Sequence, residues 1–230
     1  MSNSVNSPVK PEVSGSVVSH DKLITVAPKP LYSFFKRFFD IIISFVALCV
    51  LIVPMLIIAL IVFIDSPGAS PVFTQERVGK NGKHFKFHKF RSMVPDAEDM
   101  IDDLIHRNEM DGPAFKIKDD PRITRVGKFL RSSSIDELPQ LWNVLIGNMS
   151  LVGPRPPLPR EVKEYNEAQM QRLYVTPGIT CYWQTQPKRN DLPFEEWLKL
   201  DLKYIEERSF KTDLKILLKT VGAVFGMEGV

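Results

Sequence analysis

Hydrophobic positions fall into three regimes along the chain. From Ile41 to Ile64 the run IIISFVALCVLIVPMLIIALIVFI carries no charge over 24 residues. That is long and apolar enough for a membrane segment rather than a buried core helix. Pro54 sits near its midpoint, where it removes a helix hydrogen bond and favours a bend. Basic residues flank both ends, Lys36 and Arg37 before it and Arg77, Lys80, Lys83 and Lys86 after it. Positive charge on both sides gives a spanning helix no preferred orientation. Two arrangements are open on these residues: a spanning helix, or a re-entrant one that bends at Pro54 and leaves on the side it entered.

Period-two alternation comes next. Pro71–Val78 and Lys83–Phe90 predict two strands joined through Asn81-Gly82, a strong hairpin signal. Phe85 and Phe87 alternate with His84, Lys86 and His88, so the hairpin has one apolar and one basic face, and Lys89 and Arg91 come after it in KFRSM. Helical spacing governs most of the remainder. Pro95-Asp96 opens a helix with Ala97, Ile101, Leu104 and Ile105 on one side and a solvated acidic face on the other. Asn108–Pro121 reads as a loop, and Glu161–Tyr174 as a polar helix. Phe194, Trp197, Leu198, Leu202 and Ile205 make one helical stripe. Phe210, Leu214, Leu217, Leu218, Val221 and Val224 make another, opposed by Lys211, Lys215 and Lys219. An apolar face with lysines opposite suits a membrane interface as well as a core.

The expected architecture is α+β and mainly helical. Residues 1–30, rich in Ser, Val, Pro and Asn, read as a disordered tail. Residues 31–66 form the membrane-anchoring helix and 67–230 a folded domain after it. A net charge of +3 is too small to argue for nucleic acid. Cys49 and Cys181 imply no disulfide framework, and the four histidines form no metal-ligand spacing with them. There is no G-x-G-x-x-G and no P-loop.

The chemistry concentrates in Arg131–Pro156, RSSSIDELPQLWNVLIGNMSLVGPRP. Adjacent carboxylates, Asp136 and Glu137, lie between Arg131 and Arg155. Pro139 fits only in or near the first turn of a helix, so the carboxylates fall at a helix N-terminus with Ser132, Ser133 or Ser134 as cap. Two readings stand here. Ser134 with Glu137 three residues on fits a capping box. Alternatively, the two carboxylates can hold a divalent cation, and one can attack phosphorus. Arg122, Arg125, Lys128 and Arg131 recur every third residue upstream, a basic strip or a wall for a pyrophosphate. Prolines on both sides of Arg155 fix where its guanidinium points.

SSSIDELPQLWNVLIGNMSLVGPRP, with FTQERVGKNGKHFKFHKFRSM upstream, resembles the bacterial sugar transferases, the monotopic phosphoglycosyl transferases. The resemblance runs from about Phe34 to the C-terminus. It implies a re-entrant membrane helix, although the family's Ser-Pro pair is Val53-Pro54 here. It implies a UDP-sugar donor, a polyprenyl phosphate acceptor, contact with membrane lipids and a place at the cytoplasmic membrane face. By the same resemblance Asp136 is the nucleophile, Glu137 holds Mg²⁺, and Arg131 and Arg155 clamp phosphate oxygens. Lys89, Arg91 and Asp213 are further site candidates. Thr176–Thr180 resembles the family's PGIT turn, but the next four residues, Cys181-Tyr182-Trp183-Gln184, depart from the family pattern. Two rivals remain: a lipid-binding scaffold without catalysis, and a glycosyltransferase that releases UDP. Which sugar is carried and the oligomeric state are not legible in the sequence.

Overall fold

A computed structural model describes residues 24, 26–187 and 189–225. The first 23 residues of the expected tail lie outside them. The end of that stretch is docked: Ile24 and Val26 pack on a core cluster of Val152, Tyr204, Ile205 and Ile216. Lys29 Nζ donates to the carbonyls of Glu206 (3.3 Å) and Arg208 (2.8 Å).

The apolar run forms one helix, α1 (Pro30–Asp65). Among the described residues it is the one helix long and apolar enough to cross a membrane. It runs on through Pro54, so the expected break is a proline inside a single helix. Most of its surface is exposed, but a line of less exposed positions recurs every three or four residues, Tyr32, Lys36, Asp40, Ser44, Leu48, Leu51, Met55, Ala59 and Val62, flanked by Arg37, Ala47, Ile58 and Asp65. This is the stripe of a helix with protein along one side for its whole length.

The hairpin forms as expected, β1 (Val72–Val78) against β2 (His84–Phe90), antiparallel, with Asn81 and Gly82 both at positive φ in the connection. Phe85 and Phe87 are buried against Val144 and Met149. The helix expected from Pro95 shrinks to a short α2 (Ile101–Leu104), its acids solvent-facing. Next come α3 (Arg125–Ser132) and α4 (Gln140–Ile146). Asn143, fully buried, locks α4 to the hairpin. Its Oδ1 accepts from His88 N (3.1 Å) and its Nδ2 donates to Lys86 O (2.7 Å). Beyond α4 lies a pairing that the hydrophobic pattern does not predict: β3 (Ser150–Val152) runs parallel to β4 (Gly178–Thr180). The polar helix between them is broken into α5 (Pro159–Lys163) and α6 (Glu167–Met170). Asn166 is the cause: it forms a capping box with Gln169 and starts a new helix. The last two stripes are helices as expected, α7 (Phe194–Glu207) and α8 (Phe210–Phe225).

Polar staples join α1 to this body. Arg37 donates to the carbonyls of Val144 (2.5 Å) and Leu145 (2.7 Å), satisfying the open end of α4. Asp40 accepts from Leu151 N (3.1 Å). Asp213 on α8 accepts from Tyr32 Oη (2.8 Å), Lys36 Nζ (2.8 Å) and Tyr204 Oη (3.0 Å). Farther along α1, Met55, Ala59 and Val62 pack with Phe90 and Leu130. Removing Asp213 would leave the Lys36 ammonium in a site where its side chain is only 15 % exposed. Asp213→Ala is therefore expected to cost about 3 kcal/mol. Thermal unfolding in detergent measures it.

Candidate active site

Asp136 and Glu137 lie in a 3₁₀ turn, Ile135–Glu137, just ahead of α4. The capping box does not form. Ser134 sits in the left-handed region (φ 57°, ψ 15°) with no side-chain cap bond, and the hydroxyls of Ser132 and Ser133 turn back to Phe129 O. A left-handed serine is a strained choice that surrounding structure must enforce. Its effect is to swing both carboxyls away from the helix end and into a cavity of about 220 Å³.

Seven basic side chains and four acidic ones line that cavity. Lys89 comes from β2, Arg77 from β1, Arg131 from the last turn of α3 and Arg155 from the segment after β3. Register explains the first two. Arg77 faces Phe85, Gln75 faces Phe87 and Phe73 faces Lys89, so all share the buried face. Arg131 and Arg155 both line the cavity. Of the basic strip, Arg122 joins them, bonded through Nε and Nη2 to Asp120 (2.9 and 2.6 Å), while Arg125 and Lys128 face solvent. Arg91 and Asp213, both named as candidates, are not in the wall. Arg91 Nε donates to Ser70 O (2.9 Å) beyond the strand end, where its guanidinium lies over Phe73. Asp213 is the α1–α8 staple described above.

Arg155 is held by its backbone. Four successive carbonyls accept hydrogen bonds: Pro154 from Gly178 N (2.9 Å), Arg155 from Arg172 Nη2 (3.4 Å), Pro156 from Arg77 Nη1 (3.0 Å) and Pro157 from Val78 N (2.9 Å). Arg172 is itself fixed by a buried ion pair with Asp201 (2.8 Å). From this brace the Arg155 guanidinium reaches Glu137 at 4.0 Å. Behind it, Gly153 and Gly178 meet back to back, so that a Cβ on Gly178 would collide with Gly153 N. The PGIT turn thus supports the arginine.

The remaining walls have no counterpart among the expected site residues. The loop expected over 108–121 supplies Phe115, Lys116 and Asp120, and Trp183 and Trp197 stack at 4.3 Å and 14°. Arg77 had a usable signal, because a charge at an inward register position is unusual. The loop residues had none.

Burial drives the Glu137 carboxyl up to about 7, and Asp136 beside it pushes the same way against Arg155, Arg189 and Lys89. Burial raises Asp136 also, opposed by Lys89, Arg131 and Arg155. The Lys89 ammonium is lowered to about 7 by burial and by Arg131. Among the described residues no three His, Cys, Asp or Glu side chains gather as a metal cluster. Two adjacent carboxylates in an anion-friendly cavity nonetheless fit Mg²⁺, which takes one or two protein carboxylates and fills its shell with water and phosphate oxygens.

The sequence profile of the bacterial sugar transferase family matches residues 31–227. The chain belongs to that family. Its relatives include a galactosyl transferase, CpsE, of Streptococcus agalactiae, 49% identical over 189 residues, 82% of this chain and 42% of the relative. The undecaprenyl-phosphate galactose phosphotransferase of Salmonella typhimurium is 40% identical over 201 residues, 85% of this chain and 41% of that one. The exopolysaccharide production protein ExoY of Rhizobium meliloti is 38% identical over 206 residues, 87% and 89% of the two chains. The chain therefore spans under half the length of the first two and nearly all of the third.

The site generates two expected outcomes. Gly178→Ala should displace the Arg155 segment and lower activity at least about tenfold, through a backbone contact that no side-chain movement can relieve; steady-state kinetics with a circular dichroism control tests it. Glu137 has an ordinary value of 4.5 and a folded value of about 7. The folded state holds the extra proton between these, so metal-free stability should fall as pH rises from about 4.5 to 7. Thermal melts across that range should show the decline, and Glu137→Gln should remove this component.

Proposed function

We propose that this protein transfers a hexose 1-phosphate from a UDP-sugar to a polyprenyl (undecaprenyl) phosphate, releasing UMP, as the first membrane step of exopolysaccharide, capsule or glycoconjugate assembly. The observation that carries the reading is the buried Asp136 and half-buried Glu137 facing a cationic cavity, in a fold that also carries one long, apolar, mostly exposed helix. The names of the relatives point the same way.

Asp136 attacks the sugar-proximal phosphorus, forming an Asp–O–P bond as the phosphoanhydride bond to UMP breaks. A phosphate oxygen of the lipid then attacks the same phosphorus and expels the Asp136 carboxylate. Splitting one displacement into two is the usual gain of covalent catalysis. Lys89, Arg131 and Arg155 favour the ionised carboxylate that attack requires and stabilise charge on the transferring oxygens. Glu137, with Asp136 close by, would hold Mg²⁺, which neutralises phosphate charge when bound.

The helix α1 is read as re-entrant rather than spanning. A domain that tracks one helix face from Tyr32 to Val62, with Lys36, Arg37 and Asp40 stapled to it at one end, would have to cross the bilayer with it. Exposed Phe129, Trp142, Leu214, Leu218 and Val221, with lysines 211, 215 and 219 on α8, suit a body seated in the interface. Basic flanks and a nucleotide-linked donor both favour the cytoplasmic side.

Purified protein in lipid nanodiscs, offered a panel of UDP-sugars with undecaprenyl phosphate, should release UMP. UDP release would replace this reading with simple glycosyl transfer, and no nucleotide with any donor would leave a lipid-binding scaffold. Asp136→Asn should lower turnover at least about 10³-fold while membrane binding persists. Glu137→Gln should shift or abolish the Mg²⁺ titration.

A further inference from the structure

A second cavity of about 170 Å³ opens from the same turn. It shares Ser134, Glu137, Gln184 and Arg189 with the polar cavity, then runs between α4 and α8. Its walls change character at once. Leu138 and Leu141 come from the α4 end, Ile179 from β4, and Ala223 from α8. The two hydroxyls along it are spent. Thr180 Oγ1 and Thr220 Oγ1 bond each other at 2.6 Å, and Thr220 Oγ1 donates to Ile216 O at 2.9 Å. Past the mouth this groove therefore offers little that a sugar or nucleotide could bond, and hydrocarbon fits it. Exposed apolar residues lie close by in sequence, Trp142 next to Leu141 and Leu218 and Val221 on α8, with the exposed Lys219 among them.

A polar cavity and an apolar groove that meet at one carboxylate match the two halves of an amphiphilic acceptor. We propose that the groove between α4 and α8 seats the first isoprene units of the polyprenyl phosphate, so that its phosphate arrives beside Glu137 and Arg189 while the rest of the chain stays in the bilayer. The inference rests on the phosphosugar-transfer reading above and adds to it the path of the lipid. It also assigns Leu138 and Leu141 a task apart from the core: they separate donor from acceptor by polarity.

Ala223→Phe, which would fill the groove from the α8 side, tests it in the full-length chain in nanodiscs. Two reactions are measured: complete transfer to undecaprenyl phosphate, and acceptor-free exchange of labelled UMP into the UDP-sugar, which needs only Asp136 and the donor. Groove binding predicts a fall of at least about tenfold in kcat/KM for undecaprenyl phosphate, carried by KM, with exchange and the donor KM unchanged. Unchanged acceptor kinetics with normal exchange would overturn the groove. Failure of exchange in the unmodified protein would instead remove the reaction on which it rests. Should Ala223→Phe lose exchange through misfolding, a benzophenone-tagged prenyl phosphate on the unmodified protein decides. Adducts at 138–141, 179 or 220–223 support the groove, and adducts confined to α1 refute it.

Discussion

Everything in this molecule answers to the problem of keeping two adjacent carboxylates in a poorly hydrated turn. Desolvation alone would protonate both. The structure counters it with cations drawn from separate elements: Lys89 from the hairpin, Arg131 from a helix end, Arg155 from a braced segment and, for Glu137, Arg189. None comes from the turn itself. The pair is thus usable only when the whole domain is folded around it. A balance of this kind leaves Glu137 and Lys89 both near neutrality, where small changes in surrounding charge alter protonation.

The brace around Arg155 shows how far the support extends. A proline-rich segment has few backbone donors to offer a neighbour, so it must be held by its carbonyls. Here strand β1, the glycine pair, Arg77 and the buried Arg172–Asp201 pair each take one. The short parallel pairing of β3 with β4 lies directly behind, and α7 supplies Asp201. Elements far apart in sequence therefore converge on one guanidinium, which makes the C-terminal half a scaffold for chemistry encoded upstream.

Much of this was legible. Long-period signals, the apolar run, the alternation of Phe85 and Phe87 around Asn81-Gly82 and the stripes of α7 and α8, produced the expected elements because each is local. Asp136, Glu137, Arg131, Arg155 and Lys89 were found through motif and resemblance, and all line one cavity. The failures were non-local or depended on a single torsion. Ser134 looks like a cap and is not one, because its backbone turns left-handed. Asp213 and Arg91 are polar residues near interesting sequence whose partners lie elsewhere. The walls from 114–120 carry no periodicity, and Trp197 carries one that marks only a helix face, not its stack on Trp183.

The stripe along α1 has a practical consequence. In many anchored enzymes the membrane segment is a tether, and cutting it liberates a working domain. Here the long apolar helix is a wall of the domain: excising it would uncover Phe90 and Leu130, strip Arg37 from carbonyls at the end of α4 and leave Asp213 with Tyr204 alone of its three partners. Helix and domain share one packed and hydrogen-bonded interface, so the long apolar helix is a structural component of the fold.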